Sequence, residues 1–320
     1  MHLSVVVPIF NEEANLPDLG RRLTAALQRL EGDSFTVIYV DDGSADRSVE
    51  IALSQHRADP RFALVQLSRN FGREAAILAG LSCAIGDAVV VMDGDLQDPP
   101  EVIPDLVRVW REGGQVVRAH RRSRAERGLR RLGFEAFYRV FGLVSDLDIP
   151  RGAGGFCLLD RRATDEIRNL PEKNRFFPGI RWWIGFDQRI VEYDRQDRLA
   201  GAPKQSLRAL FAYAADAIFS FSYRPLRLMT LAGAGIAVAG FGIAAYFVIK
   251  RLLGVEQAQM GFTTLVSLLL FLGGVQLVGI GLLGEYLGRV YDEVKRRPAF
   301  IVSRYHGVSS GSGPEPGSGS

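Results

Sequence analysis

Along residues 3–110, short β-branched runs alternate with stretches whose apolar residues recur at helical spacing. Residues 3–7, 35–40, 62–67 and 88–92 predict strands, and residues 15–30, 46–55 and 73–85 predict the helices between them. Strands that alternate with helices build a doubly wound, mostly parallel α/β sheet. Such sheets bind their ligands beyond the carboxyl ends of the strands. The turns after the predicted strands are therefore where chemistry is to be sought.

The pattern then changes. Residues 118–142 are rich in arginine, with Phe134, Phe137, Tyr138, Val140 and Phe141 interleaved, and residues 204–223 place Leu207, Leu210, Phe211, Ala214, Ile218 and Phe221 close to one helical face. Both stretches predict amphipathic helices able to rest on anionic lipid, with packing on the protein's own core as the plainer alternative. Residues 226–249 and 262–287 carry no charge through their centres. Each is long enough to cross a hydrocarbon layer of about 30 Å at about 1.5 Å per residue. The short connection at 250–260 makes them a hairpin. Arg224, Arg227, Arg289, Lys295, Arg296 and Arg297 assign both outer flanks to the cytoplasm, against the opposing vote of Lys250 and Arg251. An even number of spans keeps the N-terminal domain and the C-terminus in one compartment. The expected organisation is a globular domain at 1–200, interface helices at 201–225, a transmembrane hairpin at 226–290 and a cytoplasmic tail at 291–320. The Gly-, Ser- and Pro-rich end of that tail, beyond Tyr305, is expected to be disordered.

Composition adds little to this picture. In 320 residues, an apolar content of 47% suffices for a sizeable core, and a formal charge of +3 leaves only the local clustering of arginine informative. Cys83 and Cys157 read as reduced cytosolic thiols. The first residues lack the basic and apolar regions of a signal peptide and are expected to remain in the mature protein. Gly233, Gly235 and Gly240 lie inside an apolar helix, not in the strand-to-helix turn of a dinucleotide site. Gly284 and Gly288 have the small-xxx-small spacing that joins membrane helices, within a chain or in a homo-oligomer.

Three predicted strands end in polar turns. Pro8, Ile9, Phe10, Asn11 and Glu12 follow the first, where backbone and side-chain acceptors can line a base and ribose. Val40, Asp41, Asp42, Gly43 and Ser44 end the second, with carboxylates suited to a nucleobase N–H or a ribose hydroxyl and a glycine for a tight turn. Either turn alone is equally explained by ordinary capping. The segment from Met92 to Glu101, with Asp93, Gly94, Asp95 and Gln97, is sharper. Residues two apart at a strand end project to one side, so Asp93 and Asp95 can converge while Gly94 keeps the path clear. Two carboxylates there suit Mg²⁺ or Mn²⁺, with the diphosphate of a nucleotide sugar filling the open positions and Gln97 adding a carbonyl oxygen or positioning the sugar.

Together these segments resemble the family-2 glycosyltransferases of A-type fold, in the polyprenyl-phosphate branch of bactoprenol glucosyltransferases and dolichol-phosphate mannosyltransferases. The likeness runs to about Arg297 and includes Ser68-Arg69-Asn70-Phe71-Gly72, Phe137-Tyr138-Arg139, Leu158-Leu159-Asp160-Arg161-Arg162, Trp183-Ile184-Gly185-Phe186, Tyr193-Asp194-Arg195 and the terminal hairpin. The resemblance implies that Pro8, Phe10, Asn11, Glu12, Val40, Asp41, Asp42, Asn70 and Gly94 form the nucleotide-sugar pocket. It also implies that Asp93, Asp95 and Gln97 bind metal and diphosphate. Arg118, Arg121, Arg122, Arg124, Arg139, Arg195, Arg198 and Lys204 would handle the acceptor phosphate. The implied reaction moves one sugar, with UDP-glucose favoured over GDP-mannose or a UDP-aminosugar, onto undecaprenyl or another polyprenyl phosphate, with inversion, at the cytoplasmic membrane. No nucleic-acid partner is expected.

Two departures stand out. Where many relatives read Asp-Phe-Arg, this chain has Gly155-Phe156-Cys157, so a carboxylate near the sugar or acceptor is missing. Pro203-Lys204-Gln205 keeps the cation of another segment but changes its neighbours. A processive polysaccharide synthase would require Gln-x-x-Arg-Trp, yet Pro178 stands at the needed spacing before Arg181-Trp182. A non-catalytic nucleotide-sugar sensor or scaffold would retain the pocket without turnover. A transporter fits least, because the recognisable site lies in the polar domain.

Overall fold

The computed structural model describes residues 1–30, 32–121, 154–172, 176–193, 223–253 and 261–308. They fall into two compact units, a sheet with its helices and a pair of long apolar helices. In the first unit the strands are β1 (His2–Ile9), β2 (Ser34–Asp41), β3 (Phe62–Leu67), β4 (Ala88–Val91), β5 (Val116–Arg121), β6 (Cys157–Asp160), β7 (Gln188–Tyr193) and β8 (Val302–His306). Its helices are α1 (Leu16–Leu27), α2 (Ser48–Ala58), α3 (Arg73–Cys83), α4 (Ile103–Arg111), α5 (Arg161–Asn169) and α6 (Phe177–Trp183).

The sheet order is β7-β5-β6-β4-β1-β2-β3-β8. Strands β1 to β4 pair in parallel, β6 runs antiparallel between β4 and β5, and β8 closes the other edge antiparallel to β3. The predicted mostly parallel α/β sheet is therefore present, and its four central strands fall where the β-branched runs placed them. Alternation along β1 divides the core. Leu3, Val5, Val7 and Ile9 join one apolar cluster with Leu16, Leu19, Leu23 and Leu27 of α1 and Ile103, Leu106 and Val107 of α4. Val6 faces the other side, where α3 packs so closely that a Cβ on Gly80 would lie 2.2 Å from Val6 Cγ1 and 3.0 Å from Val40 Cγ2.

Two elements differ from expectation. Residues 118–121, placed by the arginine-rich pattern in an amphipathic helix, belong to strand β5, because Arg118 to Arg121 pair in register with Ile190 to Tyr193 of β7. The rest of that stretch, and residues 204–222 of the second, lie outside the described residues. Part of the expected tail is also a strand. Tyr305 and His306 pair with Val65 and Leu64, Ser68 N–H donates to Ile301 O at 2.8 Å, and Ser303 Oγ donates to Gln66 O at 3.0 Å. The chain thus covers the edge of β3 with its own residues, which removes an unpaired ladder.

The second unit holds α7 (Arg224–Leu252) and α8 (Phe262–Val294). Each is long and apolar enough to cross a membrane, and large apolar side chains such as Leu231, Val238, Phe241, Leu277, Ile280 and Leu283 are exposed. A water-soluble helix pair would hide such residues, whereas lipid tails cover them.

The contact beneath Gly80 gives a direct check. Gly80→Ala forces α3 off the sheet or Val6 out of its rotamer, at a cost of about 1–3 kcal/mol. A lower thermal unfolding midpoint is expected, and an unchanged midpoint would contradict the packing.

Candidate active site

The strand ends and the segments after β3 and β4 enclose a cavity of about 310 Å³ lined by Pro8, Ile9, Phe10, Glu12, Asp42, Asn70, Gly72, Arg73, Asp93, Gly94 and Asp95. It lies where a parallel sheet leaves room, beyond the carboxyl ends of β1, β2 and β4.

The turn after β2 is built by hydrogen bonds to the turn after β1. Asn11 N–H donates to Ser44 Oγ at 3.0 Å, Ala45 N–H donates to Asn11 Oδ1 at 2.9 Å, and Glu12 N–H donates to Ser48 Oγ at 2.8 Å. Gly43 is required here on two grounds. Its φ is +77°, and a Cβ would lie 2.8 Å from the Asn70 backbone nitrogen. That close approach brings the Asn70 segment to Asp42, whose Oδ1 and Oδ2 accept the N–H groups of Phe71 at 2.7 Å and Gly72 at 2.9 Å. Burial pushes the Asp42 carboxyl above its ordinary range, while the two amides pull it back down.

Asp93 and Asp95 both line the cavity and are both partly exposed. Asp95 Oδ1 accepts the Gln97 N–H at 3.1 Å, and Leu96 between them takes a left-handed φ of +59°. Farther on, Arg22 of α1 clasps Glu101 through two bonds of 2.9 and 2.7 Å, which ties the acidic turn to the body of the sheet.

Of the residues expected in the pocket, Pro8, Phe10, Glu12, Asp42, Asn70, Asp93, Gly94 and Asp95 do line it. Val40, Asp41, Asn11 and Gln97 do not. Val40 turns toward α3, Asp41 Oδ1 accepts Ser44 N–H at 3.1 Å, and Asn11 spends its side chain on Ala45. Gln97 is buried and reaches the acidic turn through its backbone amide.

Among the arginines expected at the acceptor, Arg118 is buried in β5 over the Trp182 ring at 5.2 Å, and burial and Arg181 push its pKa down. Arg121 ends β5, while Arg122, Arg124, Arg139, Arg195, Arg198 and Lys204 lie outside the described residues.

Sequence reading missed Arg73 and Arg181. Arg73 opens α3, lines the cavity, and donates from Nε to Asp93 Oδ1 at 2.7 Å and from Nη1 to Glu74 Oε1 at 3.2 Å. Its position directly after the Asn70-Phe71-Gly72 turn was the available signal. Arg181 is 1% exposed and donates from Nη2 to Gly154 O at 3.0 Å, while its Nε and Nη1 find no hydrogen-bond partner among the described residues.

Residues 4–168 match Glycosyl transferase family 2, and residues 224–290 match the GtrB C-terminal hairpin. The chain belongs to glycosyl transferase family 2. Relatives of this glycosyltransferase align over nearly its whole length. The uncharacterized glycosyltransferase sll0501 of Synechocystis sp. is 42% identical over 96% of both chains, and a bactoprenol glucosyl transferase of Shigella phage SfII is 40% identical over 96% of this chain and 99% of its own. Among solved structures, glucosyl-3-phosphoglycerate synthase from Mycobacterium tuberculosis, in complex with Mn²⁺, UDP-glucose and phosphoglyceric acid, overlaps at a TM-score of 0.46. It is 22% identical and covers 70% of this chain and 79% of that one. The hairpin match and the exposed apolar helices associate the glycosyltransferase with a membrane.

Asp42→Asn leaves one oxygen for two amides and turns an NH₂ group toward the other. Loss of one satisfied buried donor costs about 1–3 kcal/mol. A lower unfolding midpoint is expected by calorimetry; wild-type stability would show that the turn after β3 does not depend on this carboxylate.

Proposed function

We propose that the chain transfers glucose from UDP-glucose to a polyprenyl phosphate, with inversion, to give a lipid-linked monosaccharide at the cytoplasmic membrane face. The observation that carries this reading is the convergence of Asp42, Asp93 and Asp95, from the ends of β2 and β4, on one cavity in a chain that also bears an apolar helical hairpin. Relatives named bactoprenol glucosyl transferase, about 40% identical over almost the full length, support the acceptor and the sugar. The GtrB-type hairpin supports reaction beside the bilayer, where the carrier phosphate is found.

In this reading the base and ribose lie along Pro8, Phe10, Glu12, Asp42 and Asn70, and the diphosphate faces Asp93 and Asp95. Among the described residues no group of three or more His, Cys, Asp or Glu is arranged to hold an ion. Asp93 and Asp95 supply hard oxygen donors of the kind a divalent cation takes, and would hold one together with the oxygens of a bound diphosphate. Mg²⁺ or Mn²⁺ bound there would neutralise the charge that develops on the departing diphosphate. Gln97 holds Asp95 through its amide, which keeps that carboxylate turned toward the cavity.

An oxygen of the acceptor phosphate forms the new bond to the anomeric carbon on the face opposite the leaving group, as the bond from that carbon to the diphosphate oxygen breaks. A phosphate monoester has a second pKa of about 6, so the acceptor is already anionic near neutrality and needs no base. That accounts for a working site with Gly155 in place of a carboxylate. Exposed apolar surface on α7 and α8 anchors the enzyme where both reactants can be held in register.

Asp95→Asn, assayed with UDP-glucose, undecaprenyl phosphate and Mg²⁺ or Mn²⁺, should lose about 10²-fold or more of turnover, the scale of removing one electrostatic partner of a leaving group. Mass spectrometry of the lipid product identifies the sugar. Turnover near wild type would remove the role of the acidic pair, and a product bearing a different sugar would replace the donor.

A further inference from the structure

The acidic cavity contains a positive charge of its own. The ladder between β4 and β6 ends with Val91 opposite Cys157, and Asp93 and Gly155 each lie two residues beyond that pair, at the same end of the two strands. A Cβ on Gly155 would lie within 1.9 Å of Arg73 Nη2, so the guanidinium occupies the space that any other residue at 155 would fill. Glu74 completes the seat. Its Oε2 accepts Phe177 N–H at 3.0 Å while its Oε1 accepts from Arg73 Nη1 at 3.2 Å, which fixes the arginine from the side of α6. From there Arg73 Nε meets Asp93 Oδ1 at 2.7 Å with 36% of the Arg73 side chain exposed. The contact is an ion pair at the cavity wall, open to a ligand.

We infer that Arg73, seated over Gly155 and clamped by Glu74, is the protein's own cation for the donor diphosphate and sets the affinity of the acidic pair for a divalent ion. This rests on the assignment of Asp93 and Asp95 to metal and diphosphate. The argument is electrostatic. A fixed guanidinium in the cavity attracts the diphosphate whether or not a metal is bound, and a planar fork suits phosphate oxygens. The same charge repels a divalent ion and draws on the carboxylate that the ion needs, so it weakens metal binding when no nucleotide is present. A diphosphate relieves that conflict by giving both cations a shared anion. Metal and nucleotide therefore bind cooperatively, and each raises the affinity of the other by the same factor. Gly155 has a role in this scheme beyond the absence of a carboxylate, since it makes room for the arginine.

The test measures binding in the full-length protein in detergent micelles, apart from turnover. Mn²⁺ affinity without nucleotide is read from the free-ion electron paramagnetic resonance signal, and UDP affinity in EDTA is read by calorimetry. Arg73→Met, at a partly exposed position, should bind Mn²⁺ alone more tightly and UDP alone more weakly, each by roughly two- to fivefold, the range of a partly exposed ion pair. Arg73→Lys should fall between Arg73→Met and wild type. Gly155→Ala, which displaces the guanidinium and removes no charge, should shift both affinities in the same directions as Arg73→Met. Unchanged affinities in Arg73→Met, or a loss of both together, would overturn the inference. Asp95→Asn separates the two levels. If Mn²⁺-dependent UDP binding survives in that variant, the metal assignment itself fails. If it is lost there while Arg73→Met binds as wild type, the assignment stands and Arg73 has no such role.

Discussion

Carboxylates gathered at the mouth of a parallel sheet repel one another, and the arrangement here holds because each is given a hydrogen-bond donor. Asp42 is satisfied by two backbone amides, Asp95 by the Gln97 amide, and Asp93 by a guanidinium. These partners differ in kind, and the difference assigns their tasks. Amides cannot leave, so Asp42 is a fixed wall of the cavity and a brace for the segment after β3. A side-chain cation on a partly exposed carboxylate can be shared with an incoming ligand. The Asp93 end of the cavity is thus the adaptable end, and the Asp42 end is rigid.

The central strands were legible because strands covered on both faces by helices read as continuous apolar runs, and β1 to β4 carry that signature. The acidic turns were legible for a related reason. Once those strands were placed, Asp42, Asp93 and Asp95 had to fall at carboxyl ends. What sequence could not resolve was which neighbours spend their side chains on the turn itself. Asn11 and Asp41 look like ligand-binding groups in a motif and act as hydrogen-bond acceptors for Ala45 and Ser44. Val40 was expected in the pocket, and alternation turns it toward α3 on the other face.

Other elements escaped because their partners are distant. Strand β8 is a short polar run, Val-Ser-Arg-Tyr-His, and becomes a strand through pairing with β3 more than 230 residues earlier. The arginines at 118–121 suggested a lipid-facing helix by composition, yet pairing with β6 and β7 makes them a strand and buries Arg118. Arg73 at the start of a helix looks like an ordinary surface residue, and Gly155 looks like a lost carboxylate. Only the antiparallel placement of β6 shows that the two belong to one feature. The apolar hairpin, by contrast, was readable by length alone, since a membrane helix needs no tertiary partner to satisfy its backbone.

The central claim is that Asp93 and Asp95 face the diphosphate of a nucleotide across a divalent ion. The most direct measurement is electron–nuclear double resonance of Mn²⁺ with UDP and the full-length protein. A strong ³¹P coupling from inner-sphere phosphate is predicted, together with its loss when Asp95 is replaced by Asn. A Mn²⁺–phosphate coupling that persists unchanged in both Asp93→Asn and Asp95→Asn would place the ion elsewhere and contradict the account.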